Sequence, residues 1–378
     1  MLERREINFF RGSPAPNLLT SVYQLTQSID TERICIIGGA SQNLASIWLP
    51  QPTYHLVFQI FEDAGFHGLL KSIPEDVEEM DSRALDEAIS RMESDPATLD
   101  RLCEMPIKPP LPYRKIYKHI VYCVPTFANP TGITMPVSRR EELVRVARKY
   151  DALIVSDDVY DFLHISDATS STGAVPPPRI VDIDRTLNSG LQDQFGNALS
   201  NGSFSKLVGP GCRVGWADGP GALMYGLSQC GSNISGGAPS QLMSTFINQI
   251  VQDGSLTTHI EKALIPTCMR RFNAISSAIK THLVPLGVSF HPDGETMPAG
   301  GYFVWLTLPK TLSSSKICEE AKRVDLILGN GTVFAVPGND IPDLLCRQLR
   351  LCYMWVDEAD IGDGIIRLAE VIQNVLGG

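Results

Sequence analysis

Residues 119–160 decide the fold and read HIVYCVPTFANPTGITMPVSRREELVRVARKYDALIVSDDVY. The apolar runs at 119–124 and 152–155 predict two buried strands. Between them, Ser138 and Glu141 have the spacing of a capping box ahead of an apolar stripe, which predicts a helix. Strands that read as continuous apolar runs and are joined by helices are typical of a mostly parallel sheet covered on both faces.

The same alternation extends outward from this core. Upstream, residues 34–37 predict a short strand that ends at Gly38-Gly39, and residues 42–47 predict the start of a helix. After Pro266 the pattern changes to helices at 267–283, 315–323 and 360–375 and strands at 287–291, 302–308 and 348–353. We therefore expect a three-layer α/β/α fold with a smaller α+β domain. The expected division is an N-terminal arm at 1–30 that also forms part of the small domain, a large domain at 31–266 and a C-terminal small domain at 267–378.

Composition excludes several classes of protein. The chain has 378 residues, of which 43% are hydrophobic and 20% charged, and this balance excludes a disordered chain. A net charge of −10 argues against nucleic acid as the main partner. We find no apolar stretch of the roughly 20 residues that a membrane span needs, and no secretory signal, so the cytoplasm is expected. The nine cysteines form no CxxC pair, which favours buried reduced thiols over a metal site.

The segment Ser203-Phe204-Ser205-Lys206, with Arg213 downstream, carries the sharpest chemical signal. A lysine flanked by hydroxyl groups and followed by an arginine suits a Schiff-base lysine beside a phosphate, because the hydroxyls and the guanidinium can bind phosphate oxygens. The alternative is a glycine-rich turn with an exposed lysine, and the segment alone does not separate the two.

Two further polar groups follow predicted strands. Asn129 opens Asn-Pro-Thr-Gly after the first strand, where its amide could bind a phenolic oxygen, although this is also a good turn sequence. Asp157 and Asp158 follow the second strand. A carboxylate there could pair with a protonated ring nitrogen, as an electron-sink cofactor requires. Asp158 could equally be a solvated neighbour or a cap.

Taken together, these motifs resemble the fold-type I, pyridoxal-phosphate-dependent enzymes of the class I and II aminotransferases. The resemblance covers nearly the whole chain and is closest to the branch with aromatic, 2-aminoadipate and kynurenine aminotransferases. It implies a transaminase in which Lys206 holds pyridoxal 5'-phosphate and moves a proton. It also implies that Asp157 binds the pyridine nitrogen, and that Tyr160 and Asn129 bind the phenolic oxygen.

The resemblance assigns the other ligands. Ser203, Ser205 and Arg213 would hold the phosphate, together with backbone donors from Gly39, Ala40 and Ser41. Tyr54, in Pro-Thr-Tyr, would stack on the cofactor ring, and its alternative is a core tyrosine. Gly12 begins a segment that would fold over the substrate. Arg350 would bind the substrate α-carboxylate, while Arg347, three positions earlier, would point to the opposite face of the strand.

The chain departs from the family pattern at two places. A segment expected between Ser28 and Arg33 is missing, and the helix ending near Ile47 leaves no room for a strand before Pro52. Both places adjoin the expected active site, where loops are often mobile. We therefore favour loop segments that are left out of this sequence over a protein that is truly shortened.

Two rival functions use the same fold. A β-eliminating lyase that cleaves carbon–sulfur bonds would use the same residues, and no residue separates it from a transaminase. A transcriptional regulator would need a fused DNA-binding domain, and the chain begins only a few residues before Gly12, so this reading is weak. The resemblance also implies a homodimer, since the family builds its site at the subunit interface and two-fold pairs are common.

Overall fold

The computed structural model describes residues 7–8, 45–95, 112–165, 176–229, 240–292 and 300–377. The strands are β1 Ile7–Asn8, β2 Ser46–Gln51, β3 Leu70–Asp76, β4 Glu79–Met80, β5 His119–Cys123, β6 Ala152–Asp157, β7 Ala198–Ser203, β8 Gly215–Asp218, β9 Ser289–His291, β10 Phe303–Thr307, β11 Leu326–Ile327, β12 Gly329–Asn330 and β13 Gln348–Cys352. The helices are α1 Leu56–Phe61, α2 Ser82–Glu93, α3 Val137–Lys149, α4 Ile180–Thr186, α5 Gly221–Ser228, α6 Gln241–Gln252, α7 Ser255–His259, α8 Ile265–His282, α9 Ser314–Lys322 and α10 Glu358–Gly377. None of these helices is both long and apolar enough to cross a membrane.

The first half of the chain builds a seven-stranded mixed sheet in the order β4-β3-β2-β5-β6-β7-β8. Strands β3, β2, β5, β6 and β7 pair in parallel, and β4 and β8 pair antiparallel at the two edges. The central strands β2, β5 and β6 are buried along their whole length. Apolar clusters cover both faces, one of them with residues of α2, α3 and α4. The predicted α/β fold with a mostly parallel sheet is confirmed.

Strand β2 corrects two sequence predictions. The helix predicted to run through residue 47 is wrong, because Ser46–Gln51 forms a strand between β3 and β5. The inference that no strand fits before Pro52 is therefore also wrong. Periodicity could not separate the two structures, because a short buried apolar run looks alike in a helix and in a buried parallel strand. The other departure from the family pattern, between residues 28 and 33, lies outside the described residues. The strand predicted at 34–37 also lies outside them.

Helix α3 has a different start from the predicted one. The helix spans Val137–Lys149 and its N-cap is Pro136, which forms no side-chain capping bond, so the capping box predicted at Ser138 is wrong. Glu141 instead pairs with Arg145 at 2.7 Å, one turn further along the helix. The proline fixes φ near the helical value and lets the helix start one residue before Ser138.

The second half of the chain builds a four-stranded antiparallel sheet in the order β12-β13-β10-β9. Helices α8 and α10 pack against each other, and α9 packs on α10. The helices and strands predicted in this part of the chain are confirmed to within a few residues at each end. The proposed boundary at residue 266 falls in the first turn of α8, and the division into arm, large and small domains stays a prediction.

The two sheets meet closely at the glycine pair Gly300 and Gly301. A Cβ atom at Gly300 would lie 2.1 Å from the ring of Phe127, and one at Gly301 would lie 2.6 Å from the Phe127 Cβ. Gly301 also has φ of 63°, a conformation that favours glycine. Side chains are therefore excluded at this contact, and the loop after β5 packs directly on the chain that leads into β10.

The cysteines of the described residues are free thiols. Cys123, Cys212, Cys268 and Cys352 are buried, as expected, but Cys346 is exposed. The expectation of buried thiols is therefore wrong for Cys346, which lies in the short turn before β13.

Candidate active site

Polar residues gather at one edge of the parallel sheet. Asn129 lies in the loop after β5, Asp157 is the last residue of β6 and Ser203 is the last residue of β7. Strands β5, β6 and β7 are neighbours and run parallel, so their carboxyl ends lie side by side. This edge is where ligands bind in open α/β sheets.

Asp157 is held by two neutral donors. Its side chain is 7% exposed, and it accepts hydrogen bonds from the Tyr122 hydroxyl at 2.9 Å and from Asn201 Nδ2 at 2.8 Å. Asn201 is directly opposite Asp157 in the pairing of β6 with β7. These two hydrogen bonds fix the carboxylate in place, which suits a group that pairs with a positive charge on a ligand.

Asp158 occupies a different environment. Its side chain is 1% exposed, and its Oδ2 accepts hydrogen bonds from the Ser156 hydroxyl at 2.8 Å and from the Ser200 hydroxyl. Burial is the main cause that raises the Asp158 pKa to about 7. The suggestion that Asp158 is a solvated neighbour is therefore wrong. Since successive residues of a strand point to opposite faces, the two aspartates serve opposite sides of the sheet.

The Asn129 loop, residues 124–135, meets β13 of the antiparallel sheet. Arg350 Nη1 donates a hydrogen bond to Asn129 Oδ1 at 2.7 Å, although the two residues lie far apart in sequence. The guanidinium lies 4.3 Å from the centre of the Phe303 ring and 4.8 Å from that of Phe334. Burial lowers the Arg350 pKa to about 10, so the group stays charged at neutral pH. A charged, buried and stacked guanidinium is suited to binding a carboxylate.

The Lys206 segment, residues 203–213, brings an amine to the same site. Lys206 Nζ lies 5.9 Å from the ring centre of Tyr160 and 5.7 Å from that of Tyr302. The Tyr302 hydroxyl donates to the Lys206 carbonyl oxygen at 2.7 Å. The Tyr160 ring lies 6.1 Å from the Phe303 ring, which in turn contacts Arg350. Lys206 and Arg350 therefore lie on two sides of one aromatic cluster.

Residues with hydroxyl and guanidinium groups lie close to Lys206 in the sequence. Ser205 is 2% exposed, and its backbone N–H donates to the Ser203 hydroxyl oxygen at 3.1 Å. Arg213 is half-buried, has φ of 51° and donates from Nη1 to the Pro210 carbonyl oxygen at 3.1 Å. A guanidinium has five N–H donors, and this one forms a single side-chain hydrogen bond within the described residues, so donors remain for a ligand phosphate.

Tyr54 lies near this group of side chains. It is half-buried, and its ring lies edge-on to His55 with the ring centres 5.8 Å apart. The His55 ring lies 5.3 Å from the ring of Phe334, which packs against Arg350. Tyr54 is thus on the Arg350 side of the site. Gly12, Gly39, Ala40 and Ser41 lie outside the described residues.

These groups fit pyridoxal phosphate. The cofactor needs an amine for its aldehyde, cationic and hydroxyl donors for its phosphate, and an anion for its ring nitrogen. Lys206, Arg213 with the two serines, and Asp157 are groups of those three kinds. The ring of Tyr54 is aromatic and partly exposed, as a stacking residue must be.

Sequence reasoning missed several residues of the site, namely Tyr122, Asn201, Tyr302, Phe303 and Phe334. One signal was present for Tyr122, since a tyrosine in a fully buried strand needs a partner for its hydroxyl group. Asn201 lies two positions before Ser203 and therefore on the same strand face. No local pattern distinguished Tyr302, Phe303 or Phe334 from ordinary core aromatics.

The family of the chain follows from a comparison with protein-family models. Residues 21–365 match the model described as aminotransferase class I and II, which is most of the chain. This protein belongs to the class I and II aminotransferases, and it is a transaminase with pyridoxal phosphate as its cofactor.

Three curated relatives illustrate the similarity. An uncharacterized protein of Saccharomyces cerevisiae is 38% identical over 318 residues, covering 82% of this chain and 69% of that protein. The aromatic-amino-acid aminotransferase 1 of Thermococcus litoralis is 28% identical over 363 residues, covering 94% of this chain and 73% of the relative. An uncharacterized HTH-type transcriptional regulator of Bacillus subtilis is 27% identical over 359 residues, and the match covers 92% of this chain but only 63% of the regulator.

A solved structure supports the same fold. The kynurenine aminotransferase of Pyrococcus horikoshii, determined in complex with PMP, superimposes with a TM-score of 0.68 and 28% sequence identity. The match covers 90% of this chain and 72% of that structure. The Thermococcus and Pyrococcus proteins are both named as aminotransferases, so the comparison does not favour the lyase alternative.

Proposed function

We propose that this protein transfers the amino group of an L-amino acid, with an aromatic, 2-aminoadipate or similar side chain, to a 2-oxo acid. The observation that carries the proposal is the placement of Lys206 Nζ and the Arg350 guanidinium on two sides of one aromatic cluster. An amine and a carboxylate-binding group so arranged suit an α-amino acid. The aromatic part of this range is supported by the names of the Thermococcus and Pyrococcus relatives.

We assign the cofactor contacts as follows. Ser203, Ser205 and Arg213 hold the phosphate, with backbone donors from residues 39–41. Asp157 binds the protonated pyridine nitrogen, and its fixed hydrogen bonds to Tyr122 and Asn201 keep the carboxylate aimed. When bound, the cofactor supplies a ring that accepts electrons from the substrate Cα. Tyr160 and Asn129 bind the phenolic oxygen, and Tyr54 stacks on the ring.

The remaining steps belong to the protein's own side chains. Arg350 binds the substrate α-carboxylate through its planar guanidinium, and the flanking rings of Phe303 and Phe334 restrict its orientation. Lys206 Nζ would take the proton from the substrate Cα as general base and would hold it for the later role of general acid. Asn129 fixes Arg350 through their hydrogen bond. The family resemblance assigns a substrate contact to Gly12, which lies outside the described residues.

Borohydride reduction of the yellow holoenzyme tests the assignment of the lysine. We expect peptide mapping to place the reduced adduct on Lys206, and an adduct on another lysine would refute the assignment. A panel of amino donors, read by the half-reaction spectrum, then identifies the substrate. Release of pyruvate and ammonia without transfer to 2-oxoglutarate would indicate a lyase. Cofactor binding without turnover of any donor would indicate a ligand sensor.

We further propose that the protein acts as a homodimer with shared sites, as the family resemblance and the prevalence of two-fold pairs suggest. Light scattering tests this, since a fully active monomer would contradict it. A cytoplasmic location stays a prediction from the sequence, and cell fractionation would test it.

A further inference from the structure

Glu79 combines two features that each destabilise a fold. It is the first residue of β4, its φ is 80°, and its side chain is 0% exposed. A positive φ of this size favours glycine, because the Cβ of other residues crowds the backbone. A buried carboxyl group loses its hydration. Residues held in such conformations cluster at functional sites, where the surrounding structure over-determines them.

The Glu79 carboxyl group faces the end of strand β5. Its Oε2 accepts a hydrogen bond from the Met80 backbone N–H at 2.6 Å. The backbone N–H of Val124, the residue after β5, lies close enough to stabilise the carboxylate and so to lower its pKa. Oε1 has no direct hydrogen-bond partner among the described residues. The carboxyl group is therefore held at the entrance of the Asn129 loop.

Charged and titratable groups surround Glu79 on every packed element. They are Glu75 on the same hairpin, Cys123 on β5, and Arg139 and Arg140 on α3. The two arginines lower the Glu79 pKa, but burial outweighs them and raises it to about 7. Glu75 also has a raised pKa, caused mainly by burial and next by Glu79 itself, and its carboxyl lies beside the Thr131 hydroxyl.

The Asn129 loop behaves as one closed unit. Met135 N–H donates to the Pro125 carbonyl oxygen at 2.8 Å, which joins the two ends of the loop. The fully buried Arg140 donates to the carbonyl oxygens of both residues, at 2.9 Å and 2.8 Å, and to the Thr126 hydroxyl oxygen at 2.9 Å. A shift at Val124 is therefore transmitted to the whole loop, including Asn129.

We propose that Glu79 is a positioning residue for the transamination site. It fixes the entrance of the Asn129 loop, and through that loop it sets the Asn129 side chain that orients Arg350. The inference rests on the proposed roles of Asn129 and Arg350. Glu79 is not among the residues to which we assign substrate or cofactor contacts, so we expect its removal to act through the position of the loop.

The variant Glu79→Gly separates positioning from folding. Glycine adopts φ of 80° without strain, so we expect the melting temperature of the cofactor-free protein to equal or exceed that of the wild type. We expect kcat/KM for the amino donor to fall about tenfold, mainly through KM, because Arg350 loses its fixed orientation. The matched control is Glu87→Gln on α2, an exposed glutamate, which should change neither quantity.

The variant Glu79→Gln gives a readout without substrate or cofactor. The folded-state pKa of Glu79 is raised to about 7 from an ordinary 4.5, so the folded chain binds this proton more tightly than the unfolded chain. Its contribution to stability is complete below about pH 4.5 and is lost as the pH rises through about 7. We expect melting temperature to decline less steeply over this range in Glu79→Gln than in the wild type.

The outcomes separate this inference from the proposed function. If Asn129→Ala and Arg350→Ala leave kcat/KM unchanged, the proposed function fails. If those variants lose activity while Glu79→Gly retains wild-type kcat and KM, the positioning role alone is refuted. Should Glu79→Gly fail to fold, the glutamine variant decides: wild-type pH dependence of both stability and kcat/KM overturns the inference, and a flattened dependence of both supports it.

Discussion

The Asn129 loop and the Lys206 segment face the same site but are built in opposite ways. Residues 124–132 are all buried, and the loop is closed by backbone hydrogen bonds and by Arg140. In the Lys206 segment, Ser203, Lys206 and Arg213 are only half-buried, and Arg213 forms one side-chain hydrogen bond within the described residues. The loop is tied together by bonds between its own backbone groups and by bonds from Arg140, while the segment keeps donors available.

The difference between the loop and the segment indicates what stabilises each of them. A loop that fixes the orientation of another side chain must be rigid before any ligand binds. A segment that binds a phosphate must leave its donors unpaired, and the ligand then completes its hydrogen bonds. We therefore expect changes in the loop to affect folding and changes in the segment to affect ligand binding.

The arginine pair Arg140 and Arg213 tests this comparison with the largest expected effect. Arg140→Met removes the side-chain donor of the Met135 carbonyl oxygen and one of the two donors of the Pro125 carbonyl oxygen, and we expect a loss of about 3 kcal/mol in unfolding free energy. Arg213→Met should leave the stability of the cofactor-free protein within about 0.5 kcal/mol, since it removes one half-buried hydrogen bond. The same variant should weaken cofactor binding at least about tenfold. Denaturant unfolding and cofactor titration measure both, and equal destabilisation by the two variants would contradict the comparison.

The pair Asp157 and Asp158 tests the same comparison at the end of strand β6. We expect Asp157→Ala to lose at least about 3 kcal/mol of transition-state stabilisation, on the order of a hundredfold in the half-reaction rate, because the ring nitrogen loses its anion. Asp158→Asn keeps an oxygen that can accept from Ser156 and Ser200, so the rate should change much less. Single-turnover spectroscopy of both variants provides the measurement. A larger loss at Asp158 would show that the wrong aspartate is assigned.

Arg350→Lys tests the contact between the loop and the antiparallel sheet. Lysine keeps the charge but cannot stack between Phe303 and Phe334 or present two parallel donors. We expect a loss of about 2 kcal/mol in kcat/KM, roughly thirtyfold, with most of it in KM. The control is Arg347→Lys, whose parent arginine donates to the Leu308 carbonyl oxygen instead. Equal effects of the two variants would refute the assignment of Arg350.

The variant His55→Gln has the smallest expected effect of these tests, a small change in the pH dependence of the melting temperature. Burial, with a smaller contribution from Arg350, lowers its pKa from 6.5 to about 4, so the folded chain keeps it neutral. Its contribution to stability is present above about pH 6.5 and is lost as the pH falls towards about 4. Between these values the melting temperature of the wild type should fall more than that of His55→Gln, by about 2 °C. Identical pH profiles would show that His55 is not shielded.

The sequence predicted the parallel sheet because its strands are continuous apolar runs, as residues 152–155 show. It failed at β2, where Ser46 and Gln51 flank a run of only a few apolar residues and a buried strand resembles a helix. It also failed at Asp158, because the burial of this residue depends on tertiary contacts such as the hydrogen bond from Ser200 on the neighbouring strand β7. Local sequence patterns predict the strands, whereas the environment of a side chain depends on tertiary structure.

The candidate site divides in the same way. Lys206, Asp157 and Asn129 were predicted because each lies in a motif just after a strand or at its end. The contact of Asn129 with Arg350 joins residues 221 positions apart and could not be read from spacing. Asp157 is held by Tyr122 and Asn201, which lie inside strands and belong to no sequence motif. Their roles became visible only when the pairing of β5, β6 and β7 was known.

The contact between Phe127 and the glycine pair at residues 300 and 301 has a consequence for motion. Because the Phe127 ring fills the space that side chains at those positions would occupy, the Asn129 loop cannot slide past the chain entering β10. Strand β10 pairs with β13, which carries Arg350. Any rigid-body closing of the antiparallel sheet over a substrate should therefore carry Asn129 with it. We expect open and closed forms of the enzyme to share the same 2.7 Å distance between Arg350 Nη1 and Asn129 Oδ1.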